Sequence, residues 1–242
     1  MFERPHHQSI AIVLGCLDAR QLRDHQCYFG GGTAIALRYG EYRESVDIDF
    51  LVSDADAFRN IRTLLSTTRD LSPILLPNQR AVSQPADLRT DQYGLRTRLA
   101  IGATNIKFEI VHEGRITFDR PRKADEVCGV ASLTPTDLVA SKALANSDRW
   151  MDDGVFSRDI IDLAAMRPSF ATLRTGLAKA NNAYGVAAAE DLTRAISRLR
   201  EREGWLQRCM ESMAVTTPRA VVLQRLRTLA SQLKRLQGSA SG

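Results

Sequence analysis

An apolar strand with an acidic residue at alternate positions, set shortly behind three consecutive glycines, constrains this chain more than any other feature. The stretch reads Phe29-Gly30-Gly31-Gly32-Thr33-Ala34-Ile35-Ala36, then Arg43-Glu44-Ser45-Val46-Asp47-Ile48-Asp49-Phe50. Side chains of a strand alternate between faces, so Asp47 and Asp49 share one face while Val46, Ile48 and Phe50 point to the core. The glycines break the pattern before it, and Thr33 to Tyr39 reads as a short helix stopped by Gly40.

The flanking sequence fits an α+β fold. An amphipathic helix is expected from about Ser9 to Arg23, with Ile10, Val13, Leu14, Leu17 and Leu22 near one face. A strand over Gln26 to Phe29 follows, and after the Val46 to Val52 strand comes a helix over Ala55 to Leu65. Tyr93 to Ala100 and Asn105 to His112 read as a hairpin across Gly102 to Thr104, which makes the sheet mixed. Beyond about Arg120 strands are expected to disappear. Thr134-Pro135-Thr136-Asp137 opens a helix that runs to about Ser147, with Thr134 as cap and Pro135 at its first position. Another helix spans Phe156 to Met166 and stops before Pro168. Helices continue to Gln237 with breaks near Gly185 and Thr217-Pro218. Only the final Gly-Ser-Ala-Ser-Gly is low in complexity. The division expected is a mixed-sheet domain over 1–125 and a helical domain over 126–242.

Composition bounds the class. With 242 residues, 44% hydrophobic and 25% charged, the chain can build real cores, which excludes disordered and fibrous classes. Its longest early apolar run, Ile10 to Leu17, falls well short of the roughly twenty residues of a membrane helix, and no signal peptide pattern is evident. Cys16, Cys27, Cys128 and Cys209 form no CxxC pair, so a reducing, cytoplasmic setting is expected, without zinc or disulfides. From Glu190 onward ten Lys/Arg face five Asp/Glu, which accounts for the chain's net charge of +5. Such a tail can attract phosphate backbones, with Arg194, Arg198, Arg225, Arg227, Lys234 and Arg235 as contacts. A solvated face pairing with Glu201, Glu203 and Glu211 explains it as well.

Two carboxylates side by side repel each other unless a divalent cation lies between them. Magnesium favours such oxygen ligands, completed by substrate phosphates. Gly31 and Gly32 let backbone approach a phosphate, and the N-terminus of the Thr33 helix offers free N–H groups. Each piece alone is common; their order and spacing together describe a nucleoside triphosphate site.

In the Gly31-Gly32-Thr33 turn and the Arg43-x-Ser45-x-Asp47-x-Asp49 run the chain resembles nucleotidyltransferases of the DNA polymerase β type. Within them it is similar to the AbiEii/AbiGii toxin family, to which the MenT toxins are related. Two later segments match that family's signatures: Lys142-Ala143-Leu144-Ala145-Asn146-Ser147-Asp148-Arg149, and Arg158-Asp159-Ile160-Ile161-Asp162-Leu163. The resemblance covers most of residues 26 to 166 and departs in the extra Gly30 and in Glu109, which stands where an aspartate is usual.

The resemblance implies transfer of a nucleoside monophosphate from an NTP to an acceptor hydroxyl, with pyrophosphate leaving. Asp47, Asp49 and Glu109 would hold two Mg2+ ions, with Mn2+ as a substitute, and Glu109 would accept the hydroxyl proton. Gly31, Gly32, Thr33, Arg43, Lys142 and Arg149 would bind the nucleotide. Lys142 and Arg149 lie two helical turns apart and share a face. Asp159 and Asp162, at i and i+3, are also neighbours; one would fix Lys142 or position the acceptor, and an ion-pair network is the alternative. The implied acceptor is the 3′ end of tRNA, in the toxin of a toxin-antitoxin or phage-defence system with a cognate antitoxin and no membrane role. A protein Ser, Thr or Tyr, a small molecule such as an aminoglycoside, and an inactive nucleotide-binding module are the other readings. Arg96 and Arg98 alternate on a strand and either line the acceptor groove or form a charged outer face. Ser45 is expected to hydrogen-bond at the strand entry, and His6, His7, His25 and His112 show no metal spacing.

Overall fold

The computed structural model describes residues 2–77 and 79–239, so residues 240–242 of the low-complexity end lie outside the described residues. The chain divides into two units, the first comprising Met1–Glu41 and Ser45–Thr134, the second Tyr42–Glu44 and Pro135–Gly242.

The first unit opens with two helices where the apolar periodicity suggests one, α1 (Pro5–Gly15) and α2 (Ala19–Asp24). Asp18 makes the break. Its backbone is extended, its carboxylate accepts from the Arg20 and Gln21 N–H groups at 3.0 Å, and its own N–H donates to the Ile74 carbonyl at 2.8 Å. Asp as an N-cap starts a second helix there. Then come β1 (Tyr28–Gly30), α3 (Gly31–Arg38), β2 (Asp47–Val52) and α4 (Ala55–Thr68). After β3 (Arg89–Thr90), the expected hairpin forms from β4 (Gly94–Ile101) and β5 (Thr104–His112). The sheet order is β1-β2-β5-β4-β3, with β2 and β5 parallel and the other pairs antiparallel, a mixed sheet in an α+β fold.

One face of this sheet is core. Phe29, Phe50 and Phe108 on the three adjacent strands pack in sequence as tilted ring pairs with centroids 5.6 Å apart, flanked by fully buried Ile48, Ile106 and Ile110. Val46 does not extend that row: β2 begins after it, and it remains 44% exposed. Strands also do not end at Arg120. Glu126–Val127 (β6) and Val130–Ala131 (β7) form a small hairpin whose turn residues, Cys128 and Gly129, have φ of 51° and 86°. A two-residue hairpin turn of this kind needs positive φ at both positions, and strands this short show no alternation in sequence.

The second unit is helical: α5 (Pro135–Arg149), α6 (Arg158–Met166), α7 (Phe170–Tyr184), α8 (Ala187–Glu201), α9 (Trp205–Ser212) and α10 (Arg219–Ser239). Left-handed backbone at Arg167, ahead of Pro168, ends α6, and Gly185 ends α7. Inside, Trp205 stacks on Phe156 and donates from Nε1 to Ser157 Oγ at 3.0 Å. Among the described residues no helix is long and apolar enough to cross a membrane.

Candidate active site

The polar face of the sheet, opposite the phenylalanines, gathers the charged residues of the first unit. In the β2–β5 register Asp47 lies opposite Lys107 and Asp49 opposite Glu109, and directly paired residues share a face. Across β1, Gly30 is opposite Asp49. The chain then turns straight into α3, so Gly31 and Gly32 form the helix's first turn, where the sequence suggests a turn ahead of it. Gly31 has φ +67°, and a Cβ there would fall 2.3 Å from Asp49 Oδ2. Only glycine satisfies both conditions, which puts the N-terminal N–H groups of α3, unpaired within the helix, beside an aspartate pair.

Thr33 is fully buried and its hydroxyl is occupied by the strand. It donates to the Asp47 carbonyl at 2.5 Å and lies 2.8 Å from Ser45 Oγ. Its side chain therefore fixes α3 against the entry of β2. Ser45 sits at that entry as the sequence suggests, its N–H donating to His7 Nε2 at 3.1 Å, while His7 Nδ1 meets Glu41 at 2.7 Å.

Asp47 and Asp49 are half-buried, hard oxygen donors on one face. Glu109 is on that face too, yet Arg96 Nε donates to one of its oxygens at 2.8 Å and Lys107 pairs with the other. Among the described residues no three His, Cys, Asp or Glu side chains converge to hold an ion. The aspartate pair fits part of a magnesium shell, the part a protein commonly supplies when phosphates and water complete it. Glu109 fits only if it leaves its cations.

The second unit holds a separate buried cluster. Lys142 Nζ lies 2.8 Å from Asp159 Oδ1 and 2.7 Å from Asp162 Oδ2. Arg149 grips Asp159 with Nε at 2.7 Å and Nη2 at 3.0 Å. Arg43, carried by the Tyr42–Glu44 segment, grips Asp162 in the same forked way at 2.7 and 3.0 Å, and the Tyr42 hydroxyl donates to Asp162 at 2.5 Å. Such bidentate, charge-assisted bonds are the strong ones. Burial alone would raise both carboxyls. For Asp159 the charge of Lys142 and the Arg149 bonds outweigh it, and for Asp162 the charges of Arg43 and Lys142 do, so both are held below the usual carboxylate range. Burial lowers the Arg43 guanidinium, but Asp162 more than reverses this and raises it.

The expected residues thus fall into two groups: Gly31, Gly32, Thr33, Asp47, Asp49 and Glu109 in the first unit, Arg43, Lys142, Arg149 and Asp159 in the second. Sequence reasoning missed Tyr42, and no local pattern signals it, since its partner is 120 positions away.

Comparisons with known proteins agree with this architecture. The solved structure of JHP933 from Helicobacter pylori superposes with a TM-score of 0.54, at 14% identity, covering 100% of this chain and 98% of that one. A second H. pylori structure, provisionally described as a nucleotidyltransferase, gives 0.52 at 14% identity, covering 96% and 94%. These likenesses are of fold. No curated protein matches. The family described as "Nucleotidyl transferase AbiEii toxin, Type IV TA system" matches residues 13–230, almost the whole chain. The chain therefore belongs to the AbiEii nucleotidyltransferase toxin family, and it is a nucleotidyltransferase.

Proposed function

We propose that this nucleotidyltransferase moves a nucleoside monophosphate from a magnesium-bound NTP to the 3′-terminal hydroxyl of an RNA, tRNA by the family resemblance, as the toxin of a toxin-antitoxin pair. One observation carries the reading: the Asp47/Asp49 pair at the glycine-opened start of α3, where no side chain fits at residue 31.

Asp47 and Asp49 hold the ions, and the first turn of α3 receives phosphate oxygens. When bound, Mg2+, or Mn2+ in its place, neutralises charge on the attacking and leaving oxygens. The acceptor oxygen forms a bond to the α-phosphorus in line with the bond to the β-phosphate oxygen, which breaks. Pyrophosphate takes that electron pair, and the hydroxyl proton passes to a carboxylate on the face. Glu109 is available for this once incoming phosphates draw Lys107 or Arg96 away. Positioning supplies most of the remaining acceleration. Lys142, Arg149 and Arg43 enter the reading as phosphate-binding residues on the resemblance alone, with Asp159 and Asp162 orienting them. Its NTP and tRNA substrates place the reaction in the cytoplasm, and a cognate antitoxin is the expected partner.

The test is incubation with each α-labelled NTP, Mg2+, and either total RNA or protein lysate. Label is expected in tRNA-sized RNA. Asp49→Asn should lose at least roughly a hundredfold in transfer with an unchanged circular dichroism spectrum, since it keeps the shape and removes the charge. Near wild-type labelling by Asp49→Asn would overturn the metal assignment. Label in protein would move the acceptor to a Ser, Thr or Tyr, and NTP binding without product would mark an inactive module.

A further inference from the structure

The face that carries Asp47 continues across the sheet as a groove of about 740 Å3, lined in part by Asp47, Arg89, Arg96, Arg98, Asn105 and Lys107. Its cations are arranged against one another. Arg89 lies directly opposite Arg96, and Arg98 directly opposite Lys107. Like charges in opposed positions of an antiparallel pair destabilise the sheet. Carboxylates relieve only part of this: Asp91 and Glu109 answer Arg96, and Glu109 answers Lys107. Among the described residues neither Arg89 nor Arg98 has a carboxylate partner, and both are exposed. Asp87 and Asp47 also line the groove, but these two carboxylates are outnumbered by Arg89, Arg96, Arg98 and Lys107.

Adjacent strands are about 4.8 Å apart, so β5, β4 and β3 span roughly 10 Å, more than one phosphate can bridge. The anion that suits them is extended. A polycationic small molecule would be repelled.

We propose that this groove is the acceptor track. The phosphodiester backbone at the 3′ end of an RNA lies across β5, β4 and β3 on Lys107, Arg98 and Arg89, and its terminal hydroxyl reaches the Asp47 end. Arg89 and Arg98 are positioning residues in this scheme. The proposal rests on the transfer reaction given above and adds which residues select its acceptor.

The experiment uses the full chain with Arg89→Gln and Arg98→Gln combined, probed with total tRNA and with a fluorescent single-stranded RNA. Both residues are exposed, so the fold should persist, and circular dichroism checks it. RNA affinity should fall roughly tenfold at low salt. The slope of log affinity against log salt should flatten by about 0.7 per lost single-strand contact. KM for RNA should rise more than kcat falls, and affinity for Mg-NTP should stay unchanged. Lys at both positions should restore most of the binding. Unchanged RNA affinity and salt slope in the folded Gln variant would overturn the proposal, as would wild-type enzyme that labels an acidic protein and leaves RNA unlabelled. If the wild type binds RNA but transfers nothing, the reaction is the wrong one, while the binding measurement still decides the groove.

Discussion

Both oxygens of Asp162 are engaged: Oδ1 by Tyr42 and the Nε of Arg43, Oδ2 by Nη2 of Arg43 and by Lys142. Asp159 is likewise held by Lys142 and Arg149. Both carboxyls sit below their ordinary pKa, so they bind fewer protons folded than unfolded. A depressed carboxyl contributes stability that is present above the unfolded value, about 3.9, and is lost as pH falls toward the folded one. The thermal midpoint of the wild type should therefore begin to drop as pH falls to about 4 and keep dropping below it, toward the folded values of the two carboxyls. Asp162→Asn should start lower, because it leaves the buried Arg43 charge uncompensated at a cost of about 3 to 5 kcal/mol, and should fall less over that range. Parallel pH profiles for the two proteins would remove the cluster from the stability of the chain. The helical spacings pair Lys142 with Arg149 on one helix and Asp159 with Asp162 on the next, and the fold joins the two pairs. Arg43 is different: its motif suggests a phosphate partner, but the structure gives it Asp162, 119 positions away, a pairing that only the folded chain defines.

At the scale of elements, what is legible depends on length and on how local the deciding contact is. The β4–β5 hairpin and α5 can be read from sequence because their turn and cap lie next to long periodic segments. The break between α1 and α2 cannot be, since Ile10 to Leu22 keeps a helical apolar rhythm across it, and Asp18 acts as a cap only where the chain around Ile74 and Leu75 holds it. Two-residue strands such as β3 and β6 carry no period at all. The parallel pairing of β2 with β5, which sets Asp49 opposite Glu109, joins segments some sixty residues apart and has no local signal either. If Asp18 restarts the helix, Asp18→Ala should cost about 1 kcal/mol, a drop of a few degrees in the melting midpoint, with transfer activity per folded molecule unchanged. A midpoint equal to wild type would mean that the capping bonds contribute nothing and that packing alone sets the break.

For the whole molecule, a count of charge by segment does not tell which cations are already paired. The excess of +5 equals the imbalance from Glu190 onward, which makes the C-terminal helices look like the nucleic-acid surface. Folding alters that picture. Arg194 pairs with Glu190 and Asp191 on its own helix, Arg198 pairs with Asp153, and Arg235 lies 4.5 Å from the centre of the Phe170 ring. The unmatched cations of the sheet, Arg89 and Arg98, are invisible to any count by segment, because their significance comes from the residues across the strand. Replacing Arg225, Arg227 and Lys234 together by Gln removes as much charge as three groove residues would. If the tail acts only through its long-range field, this variant should slow RNA association modestly, and the slope of log affinity against log salt should stay at the wild-type value. Titrations of RNA binding across a range of salt, run beside the Arg89/Arg98 variant, separate the two cases. Flattening by the tail variant to the same extent per residue would make α10 a second contact surface for the acceptor.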